Sequence, residues 1–114
     1  AREHRLAATL LGLVVDPAAA PPTLWSELLE QHRILDQQWL ARSKKDHRVL
    51  FLVMPLTDVE GVRGFLQRLE VWANHRFGKP LGELGVRSHY IELGESESAQ
   101  AQLDALKERC EIHG

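Results

Sequence analysis

Residues 6–15, LAATLLGLVV, form an apolar run that stops at Asp16-Pro17. The run is well short of a membrane-spanning helix, and an apolar segment of this length closed by a breaker pair reads as a buried strand. A buried strand must pair its backbone N–H and C=O groups, so the rest of the chain has to supply a sheet.

The following segments meet that requirement. Asp16 to Pro22, DPAAAPP, is a breaker segment, after which Thr23 is placed to cap a helix running to about His32 with Leu24, Leu28 and Leu29 on one face. Asp36–Ala41 and His47–Met54 are strand-like on either side of the polar turn RSKKD and predict a hairpin. Thr57-Asp58-Val59-Glu60 fits a capping box, followed at helical spacing by Val62, Phe65, Leu66, Leu69 and Trp72 and ended by Gly78. A fourth strand is expected in LGVRSHYIEL. A closing helix is expected in the last twenty residues, with Leu103, Leu106 and Cys110 on one stripe. The order β-α-β-β-α-β predicts an α+β, ferredoxin-like domain over residues 1–114 with an added C-terminal helix, its helices packed on one sheet face. That architecture hosts many unrelated functions, so particular residues must decide the role.

Bulk properties narrow the field. A chain of 114 residues, 44% hydrophobic, suits one domain with a modest core. A formal net charge of -2 argues against binding nucleic acid polymers, which calls for a basic face. The third strand's single aromatic, Phe51, likewise argues against an RNA-binding module of the same topology. One cysteine, Cys110, forms no internal disulfide, which makes a cytosolic setting the default. The opening Ala1-Arg2, without Met and running quickly into a strand, suggests a domain of a longer protein. Six histidines are scattered without zinc-type clustering, so neither a metal site nor a cofactor is expected. Trp25, Trp39 and Trp72 read as core or sheet-face residues.

The chemistry-bearing stretch is Arg33-Ile34-Leu35-Asp36, ahead of the hairpin. An arginine can donate two parallel hydrogen bonds to guanine O6 and N7, while a carboxylate accepts from the N–H groups of the same base. The pair can therefore read one guanine, or equally form a solvated ion pair of small energy.

With its surroundings, this stretch resembles the GGDEF family of diguanylate cyclases and their degenerate relatives. In that family an Arg-x-x-Asp inhibitory site for cyclic di-GMP lies five residues before the GGDEF turn. Here Gln37 to Ala41 separate Asp36 from Arg42-Ser43-Lys44-Lys45-Asp46. Arg42 and Ser43 stand where the family has glycines, and Lys44 and Lys45 replace the acidic residues that bind metal. The resemblance therefore implies a domain with no catalytic residues and no cyclase activity. Asp16 matches a metal-binding aspartate or simply ends the strand. The resemblance also makes Arg68, on the helix after the hairpin, a third ligand-binding residue beside Arg33 and Asp36. Taken alone, Arg68 reads as a surface charge near Glu70.

The implied ligand is cyclic di-GMP. The implied setting is the cytoplasmic part of a bacterial inner-membrane protein, preceded by membrane helices and a GAF domain, that regulates exopolysaccharide synthase or export proteins. The alternative is a ligand-free scaffold that keeps the fold to bind other proteins.

Overall fold

β1 (Ala8–Val15) is the centre of the molecule, with every residue after Ala8 buried. The computed structural model describes residues 8–31, 37–55, 57–92 and 99–110. Within them, β1 is followed by α1 (Leu24–Leu28), β2 (Gln37–Arg42), β3 (Arg48–Pro55), α2 (Val59–Phe77), a 3-10 turn (Leu81–Leu84), β4 (Val86–Glu92) and α3 (Ala99–Arg109).

The sheet is antiparallel, in the order β2-β3-β1-β4. This is the expected split βαβ arrangement, with the two apolar strands β1 and β3 inside and the more polar β2 and β4 at the edges. Side chains alternate, so the sheet has two different faces. Leu11, Leu13, Val15, Leu50, Leu52 and Met54 face α1 and α2, where they meet Leu24, Leu28, Val62, Phe65, Leu69 and Ala73 in the larger core. Leu10, Val14, Val49 and Phe51 face the other way, toward Leu106 and Cys110 of the α3 segment. The added helix thus covers the face opposite α1 and α2. Trp39 stacks on Phe51 at 5.2 Å between ring centroids and extends this second core to the β2 edge.

Gly12 makes the close approach of α3 possible. A Cβ there would stand 2.8 Å from Cys110 Sγ and 3.3 Å from Phe51 Cε1, so position 12 has no room for a side chain. On the same strand, buried Thr9 donates from Oγ1 to the carbonyl of Thr57 at 2.8 Å, tying β1 to the start of α2.

Helix ends differ from the expectation in two places. The cap of α2 is Asp58, whose Oδ1 accepts from Gly61 N at 2.9 Å, and buried Thr57 instead donates to the carbonyl of Pro55. Thr23 has helical dihedrals and makes no side-chain cap bond. A cap residue needs extended backbone to aim its oxygen at the first turn, and Asp58, with ψ of -173°, has it. The C-terminus of α2 is as expected: Gly78 closes it at φ 74°. The helical part of α1 ends at Leu28, with turn bonds from Glu30 N to Glu27 O and from Gln31 N to Leu28 O. The expected terminus near His32 lies outside the described residues.

Candidate functional site

Arg33 and Asp36 lie outside the described residues, but the chain is fixed on both sides of them. On the near side, Gln31 donates from Nε2 to the carbonyl of Glu27 at 3.1 Å. Glu27 in turn accepts a bidentate pair from Arg76 of α2, Nε to Oε1 at 2.9 Å and Nη2 to Oε2 at 2.8 Å. This fork bridges residues 49 apart in sequence and holds α1 on α2. The Arg76 guanidinium holds the Glu27 carboxyl below the usual carboxylate range. On the far side, Gln37 begins β2 and pairs with Val53.

Arg68 stands beside this junction. It is exposed on α2 and, with Gln31, Phe65 and Leu69, lines a shallow open cavity of about 190 Å³. Helical side chains lean toward the N-terminus, and Arg68 follows the rule: Nη1 lies 3.7 Å from where Gly64 would carry a Cβ. Buried Phe65 and Leu69 line this cavity on the α2 side, and Gln31, two places before Arg33, lines it on the other. Glu70, the nearby carboxylate that would have made Arg68 an ordinary surface charge, accepts from the backbone N–H of Leu81 at 2.9 Å. The sequence singles out Arg68 and gives no sign of Gln31 or of the Glu27–Arg76 fork. Gln31 had only its adjacency to the motif to recommend it, and the fork appears only once the fold brings α1 and α2 together.

The turn is built from its own residues. Ser43 N donates to the carbonyl of His47 at 2.9 Å and Asp46 N to the carbonyl of Ser43 at 2.9 Å. Buried Ser43 also accepts at Oγ from the N–H groups of Lys45 and His47. Asp46 takes the left-handed conformation, φ 65°, that a glycine would adopt without strain, and its carboxylate pairs with Arg42 Nη1 at 2.7 Å. Lys44 and Lys45 are exposed at the tip. Asp16 ends β1 as a turn residue: Oδ1 accepts from Ala18 N at 2.9 Å and lies 3.7 Å from His47 Nε2. The carboxylates of Asp16 and Asp46 are thus each engaged within the protein.

With the fold and these residues in place, the chain was compared with known proteins. Residues 1–110 match the family described as the PelD GGDEF domain. The chain belongs to the PelD GGDEF domain family. Solved PelD structures from Pseudomonas aeruginosa agree with this assignment. Crystalline PelD from residue 158 to its C-terminus, strain PAO1, is 35% identical with a TM-score of 0.82, over 99% of this chain and 40% of that one. PelD 156–455 from strain PA14, in complex with c-di-GMP, is 34% identical with a TM-score of 0.82, over 97% and 40%. The PAO1 protein in complex with c-di-GMP gives 34% identity and a TM-score of 0.83, over 100% and 41%. The chain therefore spans about two fifths of the length of these PelD structures. Curated proteins gave no match.

Proposed function

We propose that this PelD-like domain is a catalytically inactive receptor for cyclic di-GMP, which binds through Arg33, Asp36 and Arg68 and regulates Pel exopolysaccharide synthesis or export. The observation that carries the reading is the cavity that Arg68 lines together with Gln31, the residue two places before Arg33. The homologous PelD was crystallised with c-di-GMP, which supports the same reading.

Each residue has a distinct role. Arg33 donates to O6 and N7 of one guanine, and Asp36 accepts from the N–H groups on that base's other edge. Arg68 supplies a planar cation that stacks on a guanine or grips a phosphate with two hydrogen bonds. No chemistry follows binding, because the turn that would hold catalytic metal carries Lys44 and Lys45 in place of carboxylates. The engaged carboxylates of Asp16 and Asp46 support the same conclusion. The proposal extends to the setting. A GAF domain and membrane helices precede this domain, which faces the cytoplasm from the bacterial inner membrane. Ligand binding alters its contacts with Pel synthase or export proteins. Such signalling requires cyclic di-GMP to favour one arrangement over another, since equal affinity for both shifts nothing.

The test is calorimetric titration of cyclic di-GMP into this chain and into Arg33→Ala and Arg68→Ala, with GTP and Mg²⁺ as a control. Saturable binding is expected, weakened by roughly tenfold or more in either variant, in line with the loss of one charge-assisted contact. Absence of binding would leave the scaffold reading in its place. Unchanged affinity in both variants would move the site elsewhere, and cyclic di-GMP made from GTP would end the claim of inactivity.

A further inference from the structure

At the other end of β2 from the Arg-x-x-Asp stretch, the hairpin concentrates positive charge. Arg42, Lys44, Lys45 and Arg48 lie within seven residues of one another with Asp46 as the only carboxylate among them, in a chain whose net charge is -2. Arg42 and Arg48 are direct cross-strand partners, an unfavourable juxtaposition of like charges. Each is stabilised separately: Arg42 by Asp46, and Arg48 by the indole of Trp25, with its Cζ 5.6 Å from the ring centroid. Arg48 has no carboxylate partner among the described residues.

The surface between these cations is apolar. Trp25, Leu40, Ala41, Arg42 and Arg48 line an open groove of about 340 Å³, and Leu40 is 54% exposed there. Leu40 and Arg42, two residues apart, share the α1 side of the sheet. The groove runs beside an unoccupied backbone edge, because β2 pairs only with β3 among the described strands. An exposed edge carrying a large apolar residue invites another strand.

We propose that this edge and groove dock an acidic, strand-forming segment of a partner protein. The β2 backbone supplies the hydrogen bonds. An apolar residue of the incoming strand covers Leu40 and Trp25, and a carboxylate two residues along, on the same face, meets Arg42 and, across it, Arg48. A second copy of this chain fits less well, since it would bring the same cations to the interface. An anionic lipid surface could meet the charges but would leave the strand edge unused. The groove shares no lining residue with the Arg68 cavity.

The test uses a fluorescein-labelled peptide of about twelve residues repeating Glu-Thr-Val-Thr, the glutamate–valine peptide, which puts glutamate and valine in turn on one face of a strand, with fluorescence anisotropy as the readout. Saturable binding is expected that weakens with added salt and falls by roughly tenfold in Arg48→Glu and in Leu40→Asp. A lysine–valine peptide and a glutamate–valine peptide N-methylated on alternate residues are expected not to bind. Far-UV circular dichroism and cyclic di-GMP affinity of Arg48→Glu are expected to match the parent, which separates this proposal from the receptor reading. Should Arg48→Glu misfold, Arg48→Gln takes its place with the same expected loss. No binding of the glutamate–valine peptide, equal binding of the lysine or N-methylated peptide, or insensitivity to both substitutions overturns the proposal. Arg48-dependent binding to phosphatidylglycerol vesicles without peptide binding would reassign the surface to lipid. A Leu40-dependent dimer without peptide binding would reassign it to a second copy.

Discussion

The two faces of the sheet are unequal in construction and in use. The face under α1 and α2 buries fifteen of the described residues in one cluster and carries both the Arg68 cavity and the Trp25–Arg48 groove along its margins. The face under α3 buries six of the described residues, centred on Phe51, Cys110 and Leu106, and reaches the groove only through Ala41. The difference is one of leverage. α1 and α2 each join two strands of the sheet, and their relative position decides where Arg68 stands with respect to Gln31. α3 closes the second face and holds no residue of the proposed sites.

That contrast can be broken most forcefully from the larger face. Leu52 is 1% exposed and lies between Leu11 on β1 and Gln38 on β2. Leu52→Ala is expected to cost about 2–5 kcal/mol by lost burial and cavity formation, read as a lower urea midpoint. On the smaller face, Gly12→Ala is expected to cost about 1–3 kcal/mol, because the new methyl group meets Cys110 Sγ and Phe51. Adding Cys110→Ala to Gly12→Ala is expected to restore part of the loss, which would locate the strain at that contact. A neutral Gly12→Ala would mean that α3 rides loosely on the sheet.

The smallest effect concerns the fork that joins α1 to α2. Arg76 lowers the pKa of Glu27, so the pair contributes stability above the carboxyl's unfolded value, and that contribution is lost as pH falls through the lowered folded value. Arg76 stays charged throughout. Glu27→Gln is therefore expected to lower the melting temperature slightly at neutral pH, with parent and variant converging below the ordinary carboxylate range. A gap that persists in acid would assign the fork a role beyond this ionisation.

Much of this arrangement could be read from the residues. The apolar runs in β1 and β3 gave the interior strands their places, and the spacing of Val62, Phe65 and Leu69 marked the buried side of α2. Errors arose where two residues of similar chemistry competed for one task. Thr57 and Asp58 can both cap a helix, and the cap fell to Asp58 because Thr57 is drawn into the junction between β3 and β1. The 3-10 turn at Leu81–Leu84 has no counterpart in the expected elements, and its last residue, Leu84, opens the expected fourth strand, since an isolated LGEL carries no period long enough to mark it. Of the proposed ligand residues, Arg68 is located by the fold, while Arg33 and Asp36 are known only from their place in the chain between Gln31 and Gln37. Neither Gln31 nor the Glu27–Arg76 fork could be found by local pattern, because both depend on a contact between helices far apart in sequence.

The turn at Ser43–His47 has one more consequence. Ser43 N donates to the carbonyl of His47, Asp46 N to that of Ser43, and Ser43 Oγ accepts from Lys45 and His47, so these bonds close the turn on itself. Such a loop behaves as an interchangeable cassette: its letters can be rewritten while the core beneath keeps its shape. Erosion of a catalytic signature at this position would therefore be nearly invisible to selection for folding. A lineage could lose the old reaction in a few neutral steps and still inherit an intact platform on which other uses persist.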